Sequence, residues 1–298
     1  MHKIKKLIVI AGPTAAGKTS LAVQLAQKLK TEIVSFDSRQ LYREMQIGTA
    51  VPAAAELSEV KHHFIQSHSI HEEMNAGVYE VQALEKINSL FSDYDILIFT
   101  GGTGLYMDAV LFGVDDLPVA DLNIRKKLAD ELEQSGLESL TSKLKLVDAE
   151  SYRTIDLKNP RRVMRALEVF YVTGKTYPSL KQNKPKKRDF DFNIFIVSKE
   201  RKLLYGHINQ RVDKMIEQGL EEEAKQLMPH SSLKALQTVG YSEFFDYFDN
   251  KNSYENTVEK IKQNTRNYAK RQLTWFRKYQ EAIWVDADVN SIMQHLKK

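Results

Sequence analysis

Three short apolar runs punctuate the first hundred residues: "LIVIA" at 7–11, "EIVSF" at 32–36 and "DILIFTGG" at 95–102. Continuous apolar runs of this length, bounded by charge or glycine, read as strands covered on both faces. Between them apolar side chains recur at helical spacing, at Leu21, Leu25 and Leu29 after the first run and at Val78, Val81, Leu84 and Phe91 before the third. The second strand is expected to carry through to Asp37. Strands alternating with helices predict an α/β fold of the P-loop type, a parallel sheet with helices on both faces.

Beyond Gly113 the period changes. "ADLNIRKKLADELEQSG" and "NPRRVMRALEVFYVTG" read as helices that stop at glycine, and no strand is expected until "FNIFIV" at 192–197. This pattern predicts a sheet-containing core built from residues 1–113 and 191–298 around a mostly helical insertion, 114–190. From "RKLLYGHINQRVDKM" onward the chain reads as helical to its end, with no internal repeat.

Composition narrows the function classes. The 298-residue chain has no cysteine, which excludes disulfides and thiolate metal sites, and its longest apolar runs are far too short to cross a bilayer. No basic-then-apolar leader is read at the start, so a cytoplasmic monomer without a membrane partner is the expectation. The formal charge of +4 is unevenly spread. "KQNKPKKR" (181–188) carries five cations and no acid, and residues 260–278 carry seven more, which fits either solvated surface or a polyanionic partner.

"GPTAAGKT", from Gly12 through Pro13, Thr14, Ala15, Ala16, Gly17 and Lys18 to Thr19, matches G-x-x-x-x-G-K-[ST] between a predicted strand and a predicted helix. Its inward N–H groups, the helix N-terminus and Lys18 suit a di- or triphosphate, and the Thr19 hydroxyl suits Mg2+. The loop alone does not say what becomes of the phosphate. Asp37 stands where parallel sheets bind ligands, able to ligate a metal, act as a general base, or merely cap the next turn. Ser38 and Gln40 add hydrogen-bonding groups, and glutamine can pair with an adenine edge. "GGTGLY" (101–106) brings Thr103 and either a close approach to ligand or a plain tight turn. His62, His63, His68 and His71 match no zinc spacing and read as loop or packing residues. "KQNTRNYAKRQLTWFRKY" interleaves Arg266, Lys270, Arg277 and Lys278 with aromatic residues, as an RNA-stacking surface or an amphipathic helix with a wet basic face would.

Taken together, "GPTAAGKT", "DSRQLY", "HHF", "GGTGLY", "RRVMRALEV", "GYSEF" and "YAKRQLTWFR" occur in the order typical of tRNA dimethylallyltransferases, and the chain resembles that family from about residue 7 to residue 278. The resemblance implies transfer of a five-carbon prenyl group from dimethylallyl diphosphate to N6 of the adenosine 3′-adjacent to the anticodon in tRNA. It implies Asp37 as the base, Lys18, Arg211 and Mg2+ on the departing diphosphate, and Thr14 orienting the diphosphate or the reacting centre. It also implies tRNA contacts at Asp37, Ser38, Arg39, Gln40 and Thr103, in the insertion at Arg125 and at Arg161, Arg162, Val163, Met164 and Arg165, and in "KRQLTWFR" at Lys270, Arg271 and Arg277. The sequence departs from the family pattern at Arg39, Leu41 and Phe64, where methionine, valine and leucine or isoleucine are common; Arg39 adds a cation beside the expected base pocket. Without the resemblance, a small-molecule kinase, an adenylate isopentenyltransferase and a non-catalytic RNA-binding protein are rival readings.

Overall fold

A computed structural model describes residues 5–115, 117–119, 121–181 and 184–296. They divide into two compact units, residues 1–112 with 187–298 and residues 113–186.

The first unit is a six-stranded parallel sheet, β1 (Lys6–Ala11), β2 (Ile33–Ser35), β3 (His62–His63), β4 (Ile96–Gly101), β5 (Asp191–Val197) and β6 (Ile283–Val285), in the order β3-β2-β4-β1-β5-β6. The alternation within β1 divides its apolar side chains between two cores: Leu7 and Val9 belong to one, Ile8 and Ile10 to the other, and all are fully buried. The helices α1 (Lys18–Leu29), α2 (Ala54–Glu59), α3 (Ala76–Leu90) and α4 (Gly104–Phe112) connect or flank the first four strands. Chain continuity then passes through the second unit, whose helices are α5 (Leu122–Val147), α6 (Ala149–Thr154), α7 (Pro160–Thr173) and α8 (Tyr177–Leu180). Back in the first unit, α9 (Arg201–Glu217), α10 (Leu220–Leu227), α11 (Tyr241–Phe248), α12 (Tyr254–Phe276) and α13 (Val289–Leu296) complete the chain. The expected α/β sheet is present, and "FNIFIV" does rejoin it, pairing with β1.

Several local expectations are corrected. β2 stops at Ser35, which leaves Asp37 on the loop beyond the strand. His62 and His63 form a short edge strand that their polarity concealed, and "IWV" adds β6 inside a stretch expected to be helical. On α3 the buried face runs through Tyr79, Ala83 and Ile87, while Val81 is 59% exposed, because the helix is rotated from the face the aliphatic positions suggested.

The second unit has its own core of Leu128, Leu140, Leu144, Val163, Ala166 and Leu167. Asp121 and Asn159 cap α5 and α7 by accepting backbone N–H groups, and Gly174 ends α7 in the left-handed region. Gly136 breaks α5 with φ 74° and ψ 175°, where a stop was expected, although helix resumes immediately after it.

The unit closes at Lys186, four residues earlier than the sequence pattern suggested. Arg188, the last cation of "KQNKPKKR", is not solvated: its guanidinium donates to the Glu80 carboxylate at 2.7 Å and to the carbonyls of Ala109 and Val110, both at 2.8 Å. Gln182 and Asn183 of the same run lie outside the described residues. Removing one member of a buried, hydrogen-bonded pair typically costs about 3 kcal/mol. Arg188→Ala is therefore expected to destabilise the sheet unit by about that amount, read by urea unfolding followed through Trp275 and Trp284 fluorescence; both tryptophans lie in this unit.

Candidate active site

The carboxyl ends of β1, β2 and β4 deliver three loops to one place, as the switch point of a parallel sheet does. The loop after β1 is Gly12–Gly17, the loop after β2 carries Asp37 to Gln40, and the turn after β4 carries Gly102 and Thr103. Lys18 opens α1, and its ammonium donates to the Pro13 carbonyl at 2.7 Å, so the lysine folds back over the loop it follows. Burial draws its pKa down to about 8, the Asp37 carboxylate pulls it upward, and the Arg211 guanidinium pushes it down again. Arg211, from α9, is likewise lowered by burial and supported by Asp37. Two cations from distant parts of the chain thus share one carboxylate.

Asp37 divides its oxygens between two tasks. Oδ1 accepts the backbone N–H groups of Arg39 at 2.9 Å and Gln40 at 3.3 Å, so the capping role is real. Oδ2 makes no hydrogen bond with the described residues and lies on the side of Gly102. The Ser38 N–H donates to Thr103 Oγ1 at 3.0 Å, and the Thr103 hydroxyl donates to Ser38 Oγ at 3.0 Å, which joins the second and third loops.

Gln40 and Arg39 are occupied differently from what their types suggested. The Gln40 amide donates to the carbonyls of Ala50 at 2.8 Å and Thr49 at 3.2 Å, and Arg211 also reaches the Thr49 carbonyl at 3.3 Å. Arg39 donates to the Ala235 carbonyl at 2.9 Å, so this unusual cation ties its loop to the segment ahead of α11. Segment 46–48 is itself anchored: its three consecutive N–H groups donate to the Glu223 carboxylate at 2.8 to 3.0 Å, and so does the Tyr241 hydroxyl at 2.7 Å.

One connection was missed by sequence reading. Gln272, buried on α12, accepts the Thr14 backbone N–H at 2.9 Å and donates to the Gly102 carbonyl at 2.9 Å, bridging the phosphate loop to "GGTGLY". Tyr268, four residues before, lies beside Thr103, and Trp275, three after, packs on Gly104. These positions form one helical stripe, which spacing alone could have suggested. The close approach in "GGTGLY" is therefore to protein: a Cβ at Gly102 would collide with Gln272, and one at Gly104 with the Trp275 ring.

The basic residues of α12 sort by face. Arg266 donates to Asn209 at 2.7 Å, Lys262 pairs with Asp213 at 2.8 Å and Lys278 pairs with Asp108, whereas Lys270, Arg271 and Arg277 are exposed. In the second unit Arg161 and Arg162 are exposed and Met164 is half-buried. Val163 is 0% exposed within that unit's core, which leaves its side chain no surface to offer RNA. Arg125 and Arg165 both bond Glu168, at 3.0 and 2.9 Å. His63 is held by Glu32 at 2.6 Å and His68 by Gln82 at 3.0 Å, and no group of three or more His, Asp or Glu residues fit for a metal occurs among the described residues. No helix among them is long and apolar enough to cross a membrane.

The family model for IPP transferases matches residues 40–279, from the loop that follows Asp37 through the end of α12. The chain belongs to this family, the tRNA dimethylallyltransferases. It is 47% identical over 286 residues to a tRNA dimethylallyltransferase of Christiangramia forsetii, covering 96% of this chain and 94% of that one. It is 46% identical to the tRNA dimethylallyltransferase of Flavobacterium johnsoniae, covering 98% and 97%. Among solved structures it resembles the full-length tRNA isopentenylpyrophosphate transferase of Bacillus halodurans, with a TM-score of 0.70, 36% identity and coverage of 98% and 94%. A eukaryotic dimethylallyltransferase acting on tRNA superposes with a TM-score of 0.79 at 30% identity, covering 96% of this chain and 75% of that one. The phosphate loop precedes the segment that the family model matches, and the two curated relatives extend the likeness over nearly the whole chain.

Taking Lys18 out of water lowers its folded-state pKa to about 8 from the ordinary 10.5, so between about pH 8 and pH 10.5 the unfolded chain holds more protons and stability rises with pH on this account. Below about pH 8 the lysine is charged in both states and its full cost applies. Lys18→Met is expected to stabilise the ligand-free chain by about 1–2 kcal/mol at pH 7, a gain that fades toward pH 10.5 in thermal melts.

Proposed function

We propose that this protein transfers the dimethylallyl group of dimethylallyl diphosphate to N6 of the adenosine 3′-adjacent to the anticodon in tRNA, with release of diphosphate. The observation that carries this reading is the grouping of Lys18, folded over the phosphate loop onto the Pro13 carbonyl, with Arg211 and Asp37, two half-buried cations that both feel one carboxylate. A dianionic or trianionic diphosphate completes that charge balance, and a neutral acceptor amine leaves Asp37 free to act as a base.

In the reaction N6 forms a bond to the allylic carbon while the carbon–oxygen bond to diphosphate breaks, and its electron pair leaves with the diphosphate. Negative charge grows on the departing group, where the inward N–H groups of Gly12–Thr19, Lys18 and Arg211 stabilise it without reorganising. Asp37 accepts the N6 proton through Oδ2, since Oδ1 already holds the turn. An adenine amine is weakly nucleophilic because its lone pair is delocalised into the ring, so a positioned base is worth roughly 100-fold or more. Thr14 orients the diphosphate end of the substrate, and Gln272 holds the Thr14 backbone in place.

Mg2+ fits this site through Thr19, because that ion keeps most of its ligands as water and substrate oxygens and needs few from protein; bound there it would neutralise charge on the diphosphate. The target base must leave its stack to reach Asp37. Ser38 and Thr103 stand on the loops beside Asp37, with Arg39 and Gln40 following on the same loop as proposed tRNA contacts; the exposed cations Lys270, Arg271 and Arg277 in the sheet unit, and separately Arg125, Arg161, Arg162, Met164 and Arg165 in the second unit, are the proposed contacts to the rest of the RNA. The protein works as a monomer in the cytoplasm, where unmodified tRNA is available.

Labelled dimethylallyl diphosphate with Mg2+ is expected to label unmodified tRNA and not AMP, and labelled ATP is expected to transfer no phosphate. Label in AMP would favour an adenylate isopentenyltransferase, and phosphoryl transfer a kinase; either result overturns the reading. Asp37→Ala is expected to cut single-turnover prenylation by roughly 100-fold or more while tRNA affinity stays near that of the parent. Lost affinity with an intact chemical step would instead make Asp37 a binding residue.

A further inference from the structure

Glu168 of α7 is the anomaly of the second unit. Its side chain is 3% exposed, and its Oε2 accepts from both Arg125 Nη2 at 3.0 Å and Arg165 Nη1 at 2.9 Å. Its Oε1 is buried without any hydrogen-bond partner, the one such side-chain atom among the described residues. Buried carboxylates ordinarily collect donors on both oxygens. Here one oxygen takes both guanidinium groups, so holding the two arginines together is the whole of the hydrogen-bonding work this carboxylate does.

The two arginines are held unequally. Arg165 also donates through Nη2 to the Pro118 carbonyl at 2.8 Å and is thereby fixed at two points. Arg125, on α5, has a side chain 42% exposed and is fixed by Glu168 through one terminal nitrogen. Two guanidinium groups against one carboxylate leave the cluster with net positive charge. A free surface arginine loses rotamer entropy when it binds a phosphate, whereas one already held in a planar fork loses less and keeps its remaining donors in a fixed orientation.

We propose that Glu168 is a positioning residue that preorganises Arg125, with Arg165 as its brace, for a phosphodiester of the RNA backbone. This rests on the reading of the second unit as an RNA-binding surface. It differs from a purely electrostatic view in sign. Removing the Glu168 charge makes the cluster more positive, so simple attraction predicts tighter RNA binding, and preorganisation predicts weaker binding.

The test uses the full chain, unmodified tRNA and dimethylallyl diphosphate, with steady-state kinetics and tRNA binding across a salt series. Glu168→Ala is expected to raise the KM for tRNA about tenfold, leave kcat and the KM for dimethylallyl diphosphate unchanged, and lower the salt slope of binding by about one, the loss of one phosphate contact. Glu168→Gln is expected to recover at least half of that loss, because one carbonyl oxygen can still accept from both arginines. Glu168→Ala in an Arg125→Ala background is expected to add nothing further. Tighter or unchanged tRNA binding by a folded Glu168→Ala overturns the proposal. If Arg125→Ala itself leaves tRNA binding intact, the RNA reading of this surface falls and the proposal with it; if Arg125→Ala weakens binding and Glu168→Ala does not, the proposal alone falls. Should thermal melting show that Glu168→Ala has lost its fold, Arg125→Lys decides: it keeps the charge and loses the fork, so weaker binding supports the proposal and parental affinity overturns it.

Discussion

Two half-buried cations drawn toward a single carboxylate is the arrangement on which the rest of this structure depends. Lys18 and Arg211 are separated by nearly two hundred residues, and like charges brought together away from water are unfavourable unless something anionic joins them. At Lys18 the pull of Asp37 outweighs the push of Arg211, and the cost left uncompensated is that of taking the charge out of water. The fold therefore tolerates a destabilising constellation at the carboxyl edge of its sheet, and the tolerance makes chemical sense when a diphosphate completes it. In the proposed reaction, stability given up in the ligand-free state reappears as affinity and as stabilisation of charge that develops during bond cleavage.

Around that constellation the protein has built a rigid frame from groups that never touch the substrate in the reading offered above. Glu223 gathers three successive backbone N–H groups and a tyrosine hydroxyl, and the segment it holds presents the Thr49 carbonyl to Arg211 and Gln40. Gln272 does the corresponding job between the phosphate loop and the β4 turn. Because Gln272 shares α12 with Lys270 and Arg271, the helix that carries the cations proposed for RNA on one face braces the Gly12–Gly17 loop on another. A single rigid element thus touches the environment of both substrates.

Much of this was legible from residue order. The phosphate loop announces itself by glycine spacing and its place between strand and helix, and the apolar runs at 7–11 and 95–102 could only be covered strands. What escaped was of two kinds. The short strands β3 and β6 are edge elements with two and three residues, too brief for periodicity to register, and the two histidines of β3 carry no strand signal of their own. The rotation of α3 escaped because its buried face includes Tyr79, Glu80 and Ala83, where Val81 looked the more natural choice. Long-range pairings escaped for a different reason: nothing in the local pattern tells a buried Arg188 from the solvated lysines beside it, or assigns Gln40 to a carbonyl ten residues on. Spacing does reveal the Tyr268, Gln272 and Trp275 stripe, provided polar residues are allowed on a helix's inner face.

The two ends of the second unit meet. Gly113 lies directly against the Lys186 side chain, and just outside them Arg188 fastens the returning chain to the last turns of α4, from which the excursion departs. A module that leaves and re-enters at one pinned point can be lengthened, shortened or exchanged at little loop-closure cost. Evolution could thus exchange this unit while leaving the sheet unit and its three loops as they are, much as a tool head is changed on a fixed handle.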